Sequence, residues 1–438
     1  MLAFVIGVAI IVVGLAVSIG LHEIGHLVPA KLFGVKVTQY MIGFGPTIWS
    51  KRKGETEYGV KAIPLGGYIA MIGMFPPGKG GAAKEDSTGF FRTLVQDARD
   101  SSAESITTGD EHRAFYRLPV WKRIVVMFGG PFMNLLLAIV LFAVLLMGFG
   151  ISQPSTTIGS VSECALPATS ERQTCESGDP AAPGAEAGLQ PGDTILVVAG
   201  EPIESWTEST AIIRDHPGET IDLVVLRDGD EVSLEVTPLL SERYVTDEQG
   251  MVVTDAAGEP VTVQAGFVGI GPASETVRQP VTAVLPQVGA NVQAVAAIIL
   301  NLPQRIIDVA EAAFGPEERD PNGPISVVGV GRVAGEIASL DEVPLASKAA
   351  GLVGILASLN VALFVFNLIP LLPLDGGHIA GALWEAIRRG WAKVRRKPDP
   401  GPVDMAKLMP LTFAVVIVLG GMSALLIYAD IVKPVSLF

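Results

Sequence analysis

The chain has 438 residues, 49% hydrophobic and only 17% charged, with 45 acids against 31 Lys+Arg and a formal net charge of −14. Soluble domains carry about 25% charged residues, so the composition excludes an ordinary water-soluble globule and leans toward the membrane. An acidic balance of this kind offers no basic footprint for nucleic acid.

An uncharged apolar run, Met1–Leu21, opens the chain, and three more follow at Ile124–Gln153, Ala349–Leu374 and Leu408–Ala429. Each is long enough to cross a bilayer as a helix, which takes roughly 20 residues, so four transmembrane helices are expected. A cleaved signal peptide is the rival reading of the first run, with Val28-Pro29-Ala30 as its processing site. That reading needs a basic leading region, and no Lys or Arg precedes Lys31.

At the end of the first run stands His22-Glu23-Ile24-Gly25-His26. Positions i and i+4 share a helix face, so His22 and His26 can hold one zinc ion while Glu23 serves as general base. Ionisable residues in a spanning segment are costly and mark function, whereas polar groups that merely glue helices would not need this spacing.

Val37–Met74 is rich in β-formers and broken by Gly43-Phe-Gly-Pro46 and Pro64-Leu-Gly-Gly-Tyr68, which predicts hairpin strands with Gly-driven turns. Residues 76–112 are polar with little periodicity and read as a cytosolic loop. At the head of the second span, Phe128-Gly-Gly-Pro-Phe-Met-Asn134 sets a helix break beside Asn134. Close packing explains that motif as well as substrate contact does.

Residues 158–240 alternate short β runs with turns and read as a small outward domain. Its segment Pro183-Gly-Ala-Glu-Ala-Gly-Leu-Gln-Pro-Gly-Asp193 is similar to the one that precedes a buried strand in bacterial PDZ domains, which bind peptide ends by strand addition. Residues 241–265 read as an insertion of turns. Cys164 and Cys175 lie in the same block, where a disulfide and two free thiols are both open. Gln279–Gln304 lacks charge, but its Gln, Asn and Pro content suits an amphipathic helix on the outer surface or against the bundle.

A catalytic zinc needs a third protein ligand and an open position. Asp375, in Leu374-Asp375-Gly-Gly-His378 at the end of the third span, is the aspartate buried in apolar sequence, with His378 the rival ligand. Upstream, Asn367-Leu-Ile-Pro370-Leu-Leu-Pro373 breaks the helix, which membrane depth tolerates only around a cavity or inside protein. Asn367 can donate to a substrate carbonyl or developing oxyanion, or tie helices together.

Charge sets the orientation. Residues 31–123 hold fourteen Lys+Arg and 385–407 hold seven, whereas 151–345 hold thirty acids and eight Arg. By the positive-inside rule the first two face the cytoplasm, and the acidic block and both termini lie outside. The fold class expected is a polytopic α-helical membrane protein with a membrane-associated β region and an inserted extracytoplasmic PDZ domain. The predicted segments are a transmembrane helix with His-Glu-x-x-His (1–33), a cytoplasmic-side β-hairpin region and loop (34–117) and a second transmembrane helix (118–153). Then come the PDZ-like domain (154–275), an amphipathic segment (276–345), a third transmembrane helix with Leu-Asp-Gly-Gly (346–384), a basic cytoplasmic loop (385–407) and a fourth transmembrane helix (408–431).

These motifs together resemble the site-2 proteases, with the single PDZ unit similar to the Gram-positive, actinobacterial branch. The resemblance implies zinc bound by His22, His26 and Asp375, Glu23 as base, and Asn367 near the substrate backbone; Asn134 is a second candidate for substrate contact. It also implies intramembrane cleavage of single-span proteins in the cell membrane, anti-sigma factors among them, after an outside cut by another protease. The non-enzymatic rival is a zinc-binding PDZ scaffold or transporter, in which Glu23 is dispensable.

Overall fold

A computed structural model describes the whole chain except residues 77–89, 171, 173, 246–251, 256–259, 317–318, 321–322, 342 and 436–438. In chain order the helices are α1 (Leu2–Leu32), α2 (Phe90–Glu104), α3 (Val120–Ala143), α4 (Pro183–Glu186), α5 (Trp206–Asp215), α6 (Val284–Leu300), α7 (Leu302–Phe314), α8 (Val327–Ser339), α9 (Leu345–Asn367), α10 (Asp375–Val394) and α11 (Met409–Val432). The strands are β1 (Val37–Lys53), β2 (Thr56–Met71), β3 (Ile151–Val161), β4 (Thr194–Val198), β5 (Glu201–Pro202), β6 (Ile221–Arg227), β7 (Asp230–Val236), β8 (Leu239–Tyr244), β9 (Thr262–Phe267) and β10 (Ile270–Val277). The chain forms two units, one of residues 1–149 and 279–438 and the other of residues 150–278.

In the first unit α1, α3, α8, α9 and α10 pack on one another, and the β1–β2 hairpin lies against α1. The hairpin reverses at Gly54, whose φ of +64° suits a residue without Cβ. Both strands also bend, at Gly43 and Gly45 in β1 and at Gly66 in β2, all with positive φ. The bends let Gln39–Ile42 pair with residues 67–70 on one side and residues 57–60 on the other. Tyr40 anchors this sheet by donating its hydroxyl to the Gly20 carbonyl of α1 at 2.8 Å.

Among the described residues, five helices are long and apolar enough to cross a membrane, at 2–32, 120–149, 281–300, 345–367 and 405–432. The third is the segment that the sequence reading kept out of the count of four. One of its polar residues, Asn291, turns its amide to Ser358 of α9 at 3.4 Å, so part of its polarity serves helix contact. The third expected span ends earlier than predicted. Helix α9 stops at Asn367, residues 368–374 form turns around Pro370 and Pro373, and Asp375 begins a separate helix.

Three loop expectations need correcting. The stretch 76–112 contains α2, whose Ala98 and Ser102 lie one turn apart; Ser102 Oγ donates to the Phe75 carbonyl and accepts from its N–H. The predicted loop 385–407 begins inside α10. The predicted insertion of turns at 241–265 is framed by an antiparallel pair, β8 with β9. Helices α2 and α10 are amphipathic, with Leu94, Val95 and Ala98 in the first and Ile387, Trp391 and Val394 in the second at helical spacing, a signal outweighed by the charged and polar residues around them; β8 and β9 are defined by their pairing.

The second unit is built on a sheet ordered β10-β3-β4-β6-β7, with β5 paired to β4. Ile158, Ile195, Val198, Leu223 and Val225 fill its core. Cys164 and Cys175 are joined by a disulfide, their Cα atoms 5.9 Å apart. Asp193, at the entry to β4, is 1% exposed and accepts 2.7 Å hydrogen bonds from Arg227 Nε and Nη2 and a 2.8 Å bond from the Gln190 N–H. The guanidinium holds the Asp193 carboxyl below the usual carboxylate range. Its depressed value means that the stabilisation is present above the ordinary carboxylate pKa and is lost as pH falls through the folded-state value. Asp193→Asn should therefore cost this unit about 2 kcal/mol at neutral pH, with the gap to wild type narrowing in acid. Proteolytic cleavage within residues 150–278 of the intact chain, followed through a urea series at pH 7 and pH 3, checks both.

Candidate metal centre

Helix α1 carries its ionisable residues in its last three turns, where it meets α3. The two backbones touch there. A Cβ on Gly25 would overlap the Gly129 carbonyl oxygen, and a Cβ on Gly129 would overlap that of Gly25. One residue on, a Cβ at Gly130 would strike His26 Nε2. Glycine at these positions therefore fixes the α1–α3 distance, and the Gly-Gly-Pro motif is explained by packing.

Close approach brings α3 within hydrogen-bonding reach of both imidazoles. His26 Nδ1 lies 2.8 Å from the Val126 carbonyl oxygen, and His22 Nδ1 lies 3.2 Å from Asn134 Oδ1. A carbonyl oxygen only accepts, so each ring carries its proton on Nδ1 and presents a lone pair at Nε2. The two Nε2 atoms are 3.1 Å apart, and each is 3.3 Å from Asp375 Oδ2.

Asp375 reaches this point because α10 begins beneath the 368–374 turns. A Cβ on Gly376 would overlap the Leu368 and Ile369 carbonyl oxygens, and one on Gly377 would lie 2.6 Å from the Leu372 nitrogen. The two glycines after Asp375 let the turn fold down on the helix's first residues. Its Oδ2 is buried and accepts no well-formed hydrogen bond.

Three acceptors, His26 buried and His22 and Asp375 largely so, thus face one another with no proton between them, an arrangement that repels unless a cation fills it. Their type, two imidazoles and a carboxylate, suits zinc. Ligand atoms on a tetrahedral zinc with bonds of about 2.0–2.1 Å are about 3.3–3.4 Å apart, so the observed edges fit that ion. Among the described residues this is the one His/Cys/Asp/Glu cluster with such geometry.

Glu23 is 8% exposed and packs against β2, since a Cβ on Gly67 would lie 3.1 Å from Glu23 Cγ. His378, the rival ligand, lies outside the cluster, its ring 6.4 Å from that of Phe75. Asn134, the second candidate for substrate contact, is 1% exposed and lies against His22. Asn367 is half-buried and donates to the Leu363 carbonyl of its own helix at 3.0 Å.

Two supporting pairs escaped the sequence reading. Arg123 of α3 meets the fully buried Glu385 of α10 at 2.5 Å, and Asn360 of α9 donates to Ser18 of α1 at 2.9 Å. Both join helices that carry or orient the cluster. An Asn in the middle of an apolar run was a visible signal for the second; the first joins residues 262 apart and left none.

Asn134→Leu should weaken zinc binding about 10–100-fold, because a neighbour that orients a ligating imidazole contributes that much. Gly130→Ala should weaken it at least as far by pressing on His26. Zinc retained per chain across a chelator titration measures both, and unchanged retention in the two variants contradicts the assignment.

Residues 10–398 match the model of peptidase family M50. The chain is 33% identical to zinc metalloprotease Rip1 of Mycobacterium tuberculosis and 34% identical to zinc metalloprotease Rip1 of Mycolicibacterium smegmatis, over 99% of both chains in each case. It is 28% identical, over 89% of each chain, to metalloprotease MmpA of Caulobacter vibrioides.

Proposed function

The chain belongs to peptidase family M50, the site-2 protease family, and is a zinc metalloprotease of the membrane; from that premise we propose that it cuts single-span proteins within or beside their transmembrane segments. One observation carries the proposal: the two-His, one-Asp cluster sits at the end of an apolar helix long enough to cross a bilayer.

His22, His26 and Asp375 are assigned as the zinc ligands, with Val126 and Asn134 holding the imidazoles in the required tautomer. Bound there, zinc supplies Lewis-acid activation of water and of the scissile carbonyl. Glu23 takes the proton from the attacking water and delivers it to the leaving nitrogen. A peptide bond inside a helix is shielded by its own hydrogen-bond ladder, so the substrate must unwind first. Residues 67–71 of β2 pair on one side only among the described residues, beside Glu23, and offer a strand edge to an unwound segment. Asn367 is assigned to the substrate backbone, for which its side chain must leave Leu363.

Four crossings, by α1, α3, α9 and α11, fit the charge distribution and the site together. Asp375 follows the end of α9 and meets the C-terminal part of α1, so those two ends share a side of the membrane. A complete crossing by α6 would require a further crossing before α9, and no helix from 301 to 344 qualifies among the described residues. Helix α6 is therefore assigned to pack against α9 from the outer side. The termini and residues 150–278 face outward, and the basic segments face the cytoplasm of the cell membrane.

The outward unit is assigned as the PDZ-like domain, supported by the Gly188-Leu-Gln-Pro-Gly-Asp193 turn before β4 and by β10 at the end of its sheet. It admits substrates trimmed by an earlier cut, with anti-sigma factors the class the family resemblance points to.

Glu23→Gln should keep zinc and lower cleavage of a reconstituted single-span substrate about 10²–10⁴-fold, the usual worth of a general base. Undiminished cleavage would remove Glu23 from the mechanism. Zinc binding with no cleavage by the wild type would favour the scaffold reading.

A further inference from the structure

Helix α10 carries a second face unrelated to the metal. Gly377, Gly381, Ala382 and Glu385 are buried against the rest of the unit. On the opposite side Leu383, Trp384, Ile387, Trp391 and Val394 form a stripe, each 49–79% exposed. At 100° per residue these five fall within about a third of the helix circumference, diametrically opposite Glu385. The helix holds too many charges to qualify as a crossing.

The stripe is flanked by cations. Arg389 is occupied by Glu385 and Asp399, but Arg388, Lys393, Arg396 and Lys397 make no ion pair among the described residues, and Arg395 stacks on Trp391 with its guanidinium 4.5 Å from the ring centroid. The depth of α10 is fixed by its neighbour. Arg123, which holds Glu385, lies one turn inside the apolar helix that starts at Val120, directly after the exposed Trp121 and the Lys122 that sits over it. Trp and Lys at the mouth of a span mark the membrane–water boundary. The middle of α10 is therefore level with that boundary.

We propose that α10 is a membrane-surface helix that binds anionic lipid headgroups: its Trp–Ile–Leu stripe enters the headgroup–acyl boundary while Arg388, Lys393, Arg396 and Lys397 pair with lipid phosphates. An apolar face for the boundary, edged by unpaired cations, matches this occupant on both counts. A partner protein would use the stripe without requiring lipid charge. The helix that opens with Asp375 is thereby held against the leaflet by its solvent side as well as by Arg123.

Hydrogen exchange of residues 383–397 in the full-length protein tests this. The wild type is compared in nanodiscs of phosphatidylcholine and in discs with about 30% phosphatidylglycerol, where each basic residue near the surface adds attraction. Exchange should slow at least about fivefold in the anionic discs, and the dependence should vanish in R388Q/K393Q/R396Q/K397Q and in 1 M salt. Ile387→Asp with Trp391→Asp should raise exchange in both discs. Unchanged exchange across α3 and α9 reports an intact bundle in each variant. Equal wild-type exchange in the two discs overturns the proposal, as does a charge-neutral variant that keeps the lipid dependence.

Discussion

A methyl group placed on Gly25 or Gly129 would overlap the carbonyl oxygen of the other, and this backbone-to-backbone approach of α1 and α3 is what the candidate metal centre depends on. Only at that separation can the Val126 carbonyl reach His26 Nδ1 and Asn134 reach His22 Nδ1. Those two hydrogen bonds choose the tautomers, and the tautomers turn both Nε2 lone pairs toward Asp375. Close approach through small residues is a common means of helix association in lipid, where apolar burial gives little drive.

The remaining polar contacts of the bundle serve the same end. Arg123 with Glu385 ties α3 to α10, and Asn360 with Ser18 ties α9 to α1. Away from the site, Asp430 of α11 meets Arg319 and accepts the Ser326 N–H at 2.6 Å, next to the start of α8. A carboxylate at a helix N-terminus is favoured by the backbone dipole. Helix α8 in turn packs on the first half of α1, where Gly7 faces the Ala334 carbonyl. Removing one member of a buried ion pair strands the other, which costs about 3–5 kcal/mol, so these pairs guard a unique helix arrangement.

The sequence announced the chemistry more clearly than the architecture. His22-Glu23-x-x-His26 is read locally because a helix puts i and i+4 on one face, and Asp375 stands out as an acid in apolar surroundings. Asn134 was visible as a residue but not in its role, since a lone Asn beside a Gly-Pro break does not reveal that an imidazole lies opposite. Asn367 was visible too, and it now folds back on its own helix. Arg123 and Glu385 lie in segments rich in charge, where one buried pair cannot be told from solvated neighbours. Helix α2 has apolar residues at helical spacing that its polar surroundings outweighed, whereas the β8–β9 pair is defined by contact and not by periodicity.

The central claim is that two imidazoles from α1 and one carboxylate from the start of α10 share a zinc ion. X-ray absorption at the zinc edge of the purified full-length protein reads that directly. The account predicts a single zinc with two imidazole nitrogens and carboxylate oxygen in its inner shell, and loss of one imidazole signal in His26→Ala. A shell with sulfur, or one whose imidazole count is unaltered by that substitution, would contradict it.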